Sequence, residues 1–139
     1  LTYLFLKTNV KQLGCGDDVF FEIGYSFKSI VKRPQFCIII EDSLNSRVTT
    51  LISDYQNEND ELNDLVGEGA VSCYISDFYL MPGKYNISLK LWTPGELLFS
   101  ALNIGLLNIS SFGSKLSVNP KYNSSFGNLY IPAVWTKNL

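Results

Sequence analysis

The sequence predicts an all-β protein: a two-sheet antiparallel β-sandwich of jelly-roll or immunoglobulin-like type with about eight strands. Three observations lead there. Apolar and polar residues alternate with a period of two in one segment after another, the mark of a half-buried strand. Gly, Pro, Asn and Ser punctuate those segments at short intervals. No stretch of adequate length carries the 3.6-residue period of an amphipathic helix.

The elements follow in chain order. Leu1 to Lys7 reads as a strand with Tyr3 and Phe5 on one face, and Asn9 to Asp18 as a connection broken by Gly14, Gly16 and the paired aspartates. From Val19 to Lys28, Val19, Phe21, Ile23, Tyr25 and Phe27 alternate with Phe20, Glu22, Gly24, Ser26 and Lys28, a strong strand. Phe36 to Asp42 is almost continuously apolar, as expected of a central strand covered on both faces. The run 42–46 turns the chain into a strand over Arg47–Ile52, and the acidic run 54–64 is expected to be a solvated surface excursion with room for one short helical turn. In 71–76, Val71, Cys73 and Ile75 alternate with Ser72, Tyr74 and Ser76. A corner over 77–80 then leads to Met81-Pro82-Gly83-Lys84. Proline pre-sets φ and glycine supplies φ > 0, so this segment is expected to be a type II turn closing a hairpin. The second hairpin strand alternates most clearly of all, with Tyr85, Ile87, Leu89 and Leu91 against Asn86, Ser88, Lys90 and Trp92. Pro94-Gly95 breaks the chain again. Leu97 to Ile109 follows as one long strand or two shorter ones, then a Ser/Asn/Gly-rich connection over 110–125. Phe126 to Trp135 is expected to be a final strand, with Pro132 marking it as an edge or terminal one.

Composition narrows the function. At 139 residues the chain is expected to form one domain, and 46% apolar content with 17% charge excludes disorder. A net charge of -2 without a Lys/Arg cluster gives no reason to expect nucleic acid. Apolar runs fall far short of the ~20 residues that span a bilayer, and the start shows no signal-peptide pattern. Because Leu1 opens within a strand-like run, the sequence is expected to be a piece of a longer chain. Three cysteines at 15, 37 and 73, without CxxC spacing, fit neither a zinc site nor a disulfide framework; reduced thiols of an intracellular protein are expected. The absence of histidine excludes Ser-His and Cys-His catalysis and imidazole acid–base chemistry within this chain. No GxxxxGK[ST] loop is present, so no nucleotide site is expected, nor any other cofactor.

Four stretches, GDDVFFEIGYSF, RPQFCIIIEDSLNSRVTTL, VGEGAVSCYISDFYLMPGKYNISLKLW and GNLYIPAVW, follow one another along most of the chain. In this order they resemble the C-terminal carbohydrate-binding domain of Wzt, the ATP-binding subunit of bacterial ABC exporters for O-antigen polysaccharide. Leu80-Met81-Pro82-Gly83-Lys84-Tyr85-Asn86-Ile87 fits the family's L-x-P-G-x-Y-x-φ pattern. Two departures stand beside the match: a glycine common in the turn after the third strand is missing around Ser43–Ser46, and Leu97–Ile109 lacks the usual acidic start. The resemblance implies a non-catalytic, lectin-like β-sandwich that reads the exported glycan, often at its non-reducing end. It further implies a homodimer, association with the exporter's ATPase and membrane permease, and a place in the cytoplasm against the inner membrane.

Sugars present hydroxyl edges and apolar C–H faces, so a glycan site needs exposed aromatics to stack on and short polar groups to hydrogen-bond. The expected outward face of the hairpin offers Tyr74, Ser72, Asn86, Ser88, Lys90 and Trp92, with Glu22 and Ser26 joining if their strand is a neighbour. Trp92 capping the core and Tyr74 lying under a loop is the competing assignment; Trp135 reads as a packing or dimer-interface residue. The sequons at Asn86, Asn108 and Asn123 would matter only in a secreted protein. Carboxylates at Asp17/Asp18, Glu41/Asp42 and 54–64 have neither the separation of a glycosidase pair nor the order of a calcium loop. Two alternatives remain open at this point: a secreted lectin or adhesin module, and a structural dimerisation sandwich with no ligand.

Overall fold

A computed structural model describes residues 3–8, 13–56 and 63–137, with residues 3–8, 55 and 56 described as backbone. The face taken by Tyr3 and Phe5 and the acidic residues 57–62 lie outside the described residues. Among the described residues eight strands form two sheets: β1 (Tyr3–Thr8), β2 (Leu13–Gly14), β3 (Val19–Val31), β4 (Gln35–Asp42), β5 (Arg47–Ile52), β6 (Leu65–Ile75), β7 (Gly83–Thr93) and β8 (Glu96–Ser110). One helical turn, α1 (Ser53–Gln56), follows β5. The smaller sheet has the order β1-β3-β6 and the larger β2-β8-β7-β4-β5. All pairings are antiparallel except that of β2 with β8, which is parallel.

The two sheets face each other across one core. From the small sheet come Val19, Phe21, Ile23, Tyr25 and Phe27; from the large sheet Phe36, Ile38, Ile40, Ile87, Leu89, Leu91, Leu107 and Ile109. Tyr25 stacks on Phe27 with ring centroids 4.6 Å apart and tilts against Phe36 of the opposite sheet at 6.3 Å. The alternation along β3 and β7 therefore places its apolar members inward as the pattern demands. Strand β4 lies between β7 and β5, and all five residues 36–40 are buried, so the continuous apolar run does mark a strand covered on both faces.

The segment expected to close a hairpin does something else. Strand β6 belongs to the small sheet and β7 to the large one, so residues 76–82 carry the chain from sheet to sheet. Gly83 has φ 157, close to extended and far from the roughly +80° of a type II turn, and it already pairs with Ile109 as the first residue of β7. The crossing is tied down from both sides. Gly16 N–H donates to Phe78 O (2.9 Å), Phe78 N–H to Asp17 O (2.9 Å), and Met81 N–H to Asn128 O (2.9 Å). The Tyr of the L-x-P-G-x-Y pattern explains that motif physically. Tyr85, fully buried, donates its hydroxyl back to the Met81 carbonyl at 2.5 Å, a tyrosine corner that fixes where the chain enters the second sheet. Burial pushes its phenol up to about 12, with Asp42 and Cys15 adding to the effect.

The hairpin with the Pro-Gly turn is the next one. β7 and β8 are joined by Pro94-Gly95, with Thr93 paired to Glu96 and Gly95 at φ 77, which is what a type II turn requires. Strand β8 is a single strand, but its register slips between the Ile87–Gly105 and Leu89–Ala101 pairs. Three residues, 102–104, stand against Ser88 alone, and the two extra ones bulge, with Asn103 at φ 53 and its N–H donating to Ser88 Oγ at 2.9 Å. The expected strand over 126–135 does not form. After one bridge between Leu80 and Leu129, residues 131–137 run without regular structure.

Candidate functional site

The crossing between sheets divides the expected glycan face in two. Glu22, Ser26, Ser72 and Tyr74 share the outward face of the small sheet: Glu22 pairs with Ser72 and Phe20 with Tyr74 on neighbouring strands. Asn86, Ser88, Lys90 and Trp92 lie on the outward side of β7 in the large sheet. These sets do not meet on one surface.

On the small-sheet side Tyr74 is 63% exposed, but its hydroxyl is occupied. It donates to Asp18 Oδ2 at 2.6 Å, while Asp18 Oδ1 accepts from Lys115 Nζ and from the Asp77 N–H (3.1 Å). Lys115 also reaches Asp77 Oδ1 at 2.6 Å. The Lys115 ammonium, then the Tyr74 hydroxyl and the Asp77 N–H, hold the Asp18 carboxyl far below the usual carboxylate range, and both aspartates hold Lys115 correspondingly high. Next door, Asp17 accepts from Gly14 N–H (2.8 Å) and from both N–H and hydroxyl of Ser114 (2.7 and 2.8 Å). Gly14 and Gly113 approach so closely there that a Cβ on Gly14 would lie 2.1 Å from Gly113 Cα. The aspartates read from sequence as breakers are anchors for three connections.

On the large-sheet side the four residues differ among themselves. Ser88 is 1% exposed and its oxygen serves the β8 bulge, so it is a structural residue. Asn86 and Lys90 are half-buried. Trp92 pairs with Gln35 across β4 and β7, and with Arg33, Gln35, Asp54, Thr93, Pro94 and Gly95 it lines a cleft of about 290 Å³. Gln35 Nε2 donates to Asp54 Oδ2 at 3.3 Å, and Thr93 Oγ1 donates to the Lys32 carbonyl. Arg33, at φ 41, donates its N–H to Asp64 Oδ1 at 2.9 Å. Lys90 belongs to the same neighbourhood: the Cys37 thiol, raised chiefly by burial, is raised further by Asp54 and lowered by Lys90. The cleft that Trp92 lines is thus shared with residues that carry a guanidinium, an amide, a carboxylate and a hydroxyl.

Sequence reasoning missed Arg33, Gln35 and Asp54. The first two precede the apolar run of β4 and carried no periodic signal; Asp54 sat in the acidic run assigned to solvent. The pairing of β4 with β7 brings Gln35 beside Trp92, and the pairing of β4 with β5 brings Asp54 to Gln35.

A second, larger cleft of about 580 Å³ opens between the sheets where β6 faces β4 and β5. Its floor is apolar, with Ile23, Phe36, Ile38, Leu51, Val71, Cys73 and Ile75, and the consecutive residues 71–76 of β6 form one wall. Among the described residues no group of His, Cys, Asp and Glu is arranged to hold a metal ion, and no helix is long and apolar enough to cross a membrane.

No protein-family model matches this sequence, and no curated protein does. Among solved structures, the crystal structure of the C-terminal domain of Wzt matches with a TM-score of 0.74. The match covers 97% of this chain and 81% of that one at 12% sequence identity. The chain carries the same β-sandwich fold as the Wzt C-terminal domain, over almost its whole length.

Proposed function

We propose that residues 1–139 form a non-catalytic carbohydrate-binding domain that recognises O-antigen polysaccharide for export through an ABC transporter. The observation that carries this reading is the Trp92 cleft. Its indole offers a stacking face for the apolar side of a sugar ring, and Arg33, Gln35, Asp54 and Thr93 offer donors and acceptors for its hydroxyls. The likeness in fold to the Wzt C-terminal domain, together with the L-x-P-G-x-Y stretch, supports the assignment to polysaccharide export. In this reading the domain follows an ATPase domain in a longer chain, works as a homodimer beside a membrane permease, and lies on the cytoplasmic side of the inner membrane. Lys90 and Asn86 lie on the same outward side of β7, outside the cleft lining, and would meet sugar units beyond the one at Trp92. The outward group of Glu22, Ser72 and Tyr74 belongs to a different surface and would contact only a distant part of a long glycan.

The test is a titration of the protein with purified O-polysaccharide of its own source strain, followed by tryptophan fluorescence and NMR shifts. A saturable response centred on Trp92, absent with a foreign O-polysaccharide, is expected, with an affinity roughly between 1 mM and 1 µM. Silence from the folded protein would remove the glycan reading and leave a structural module.

A further inference from the structure

The hydrogen-bonding polarity of the Trp92 cleft follows residue by residue. Gln35 and Trp92 oppose each other across β4 and β7, while their neighbours Phe36 and Leu91 are buried in the core. Ile52, the last residue of β5, pairs with Cys37, so the chain leaves that strand beside Gln35 and brings Asp54 to it. Thr93 Oγ1 donates its single proton to the Lys32 carbonyl, which leaves it only lone pairs to offer. Asp54, as a carboxylate, has about four acceptor positions and no donor. Its bonds among the described residues are long, 3.3 Å from Gln35 Nε2 to Oδ2 and 3.5 Å from Ser53 Oγ to Oδ1. Gln35 spends one amide N–H on Asp54, and its carbonyl oxygen is a further acceptor. Acceptors therefore dominate this edge of the cleft.

An acceptor-rich edge calls for an occupant that donates, and neighbouring ring hydroxyls do so in pairs. The two oxygens of one carboxylate match two hydroxyls on adjacent ring carbons. Charge narrows the choice further. The lining holds one guanidinium, Arg33, and one carboxylate, Asp54. Arg33 is exposed and Asp54 half-buried, so solvent and salt screen the carboxylate less, and its sign decides. A second carboxylate, Asp64, accepts the Arg33 backbone N–H at 2.9 Å. An acidic sugar would thus set its own charge against Asp54, a repulsion that a neutral ring does not meet. Size sets the last bound. At about 290 Å³ the cleft stands at the bottom of the ~300–1,000 Å³ range of small-molecule pockets, room for one ring rather than two.

We infer that the Trp92 cleft takes a single neutral sugar ring, which stacks its apolar face on the indole and gives two adjacent free hydroxyls to Asp54, and that acidic sugars are excluded. The inference rests on the glycan reading of this cleft and adds the chemical class of its occupant. Asp54 is the specificity-determining group. A ring whose hydroxyls are blocked leaves that carboxylate without its donors, and sites built to bind hydroxyls reject such analogues. Trp92 supplies contact area for any sugar with an apolar face and discriminates little.

The experiment follows the Trp92 indole N–H by NMR on the 139-residue chain, with Trp135→Phe, at a 94% exposed position, assigning the two tryptophans. The probes are the methyl glycosides of glucose, galactose and mannose, the matching uronic acids and the per-O-methylated neutral forms. Each is titrated directly and as a competitor of the source strain's O-polysaccharide. At least one neutral glycoside is expected to move the resonance saturably, with its uronic acid about tenfold weaker and its O-methylated form silent. Asp54→Asn, which exchanges an acceptor for a donor at constant shape, should weaken the neutral sugar about tenfold and narrow the gap to the uronic acid. A uronic acid that binds as well as its neutral counterpart overturns the inference. So does an O-methylated sugar that still binds, or a folded Asp54→Asn with the parent's sugar profile. If that variant does not fold, the parent's sugar series decides alone. The two readings fail separately. A polysaccharide that binds at Trp92 but is displaced by no neutral glycoside overturns the assigned occupant and leaves the functional reading. Neutral glycosides that bind while the polysaccharide stays silent keep the occupant and remove the polysaccharide, and silence with both removes both.

Discussion

The two Pro-Gly pairs of this chain have the same local chemistry and opposite structural roles. Pro94-Gly95 makes the tight turn that its residues favour, with Gly95 at φ 77, and returns β8 beside β7. Pro82-Gly83 makes no such turn: Gly83 is near-extended and the chain passes to the other sheet. The difference lies in what flanks them. Thr93 and Glu96 bracket the first pair with strands of one sheet, whereas Tyr79, Leu80, Met81 and Tyr85 anchor the second to the core and to residues 128–130. A turn dipeptide specifies a permitted bend; buried neighbours decide whether it is taken. The hairpin pair borders the Trp92 cleft and so belongs to the candidate site, while the crossing pair sets which sheet each candidate residue joins.

The comparison breaks most severely at Tyr85. Removing this buried ring by Tyr85→Ala should cost about 3–5 kcal/mol of stability, in line with other large core aromatics. Tyr85→Phe keeps the volume but leaves the Met81 carbonyl unpaired, for about 1–3 kcal/mol. Chemical denaturation of both variants measures the two losses. If Tyr85→Phe proved neutral, the hydroxyl would not be what fixes the crossing. That variant should also lose less stability between pH 10 and 12 than the parent. The phenol ionises in the unfolded chain near 10 but only near 12 when folded, so the folded state holds a proton that the unfolded state gives up, and stability falls across that window.

The hairpin pair should answer more mildly. A Cβ on Gly95 would meet nothing within 4 Å, so Gly95→Ala costs only the left-handed backbone strain, about 1–2 kcal/mol. Its second effect, weaker glycan binding through a displaced Trp92, would link the turn to the site. Trp92→Ala itself should weaken binding about tenfold, or about 1.4 kcal/mol, with folding retained. Tyr74→Phe should leave binding within twofold, because its hydroxyl serves Asp18. A reversed order of these two effects would move the site to the small sheet.

Alternation made the strands legible, and with them the inward faces of β3, β4 and β7, because burial of one face imposes a period of two whatever the strand pairs with. Partnership was not legible. Nothing local in Val71-Ser72-Cys73-Tyr74 distinguishes an edge strand of one sheet from the first arm of a hairpin in the other, so Tyr74 and Trp92 were expected on one face. Arg33, Gln35 and Asp54 escaped notice for the same reason: each acquires its place only through long-range pairing. The two-residue β2 was hidden by Gly14 and Gly16, and 126–135 read as a strand because its pattern is that of one, although among the described residues only Leu129 forms a bridge there.

The smallest expected effect concerns the polar side of the crossing. Asp77, at φ 54, is gripped by Lys115 and by Asp18, which also takes the Tyr74 hydroxyl. Asp18 titrates lower in the folded chain than in the unfolded one, so its contribution is full above the unfolded carboxylate value near 4 and disappears as pH falls further. These side chains are exposed and screened, so salt should blunt the effect. Asp18→Asn should therefore lose a small amount of stability at pH 7, converge with the parent at low pH and so flatten the loss of stability below pH 4, and the parent's acid sensitivity should shrink in 1 M salt. Equal acid slopes for parent and variant would mean that the crossing is held by Tyr85 and its backbone bonds alone, and that the carboxylate–lysine cluster merely decorates it.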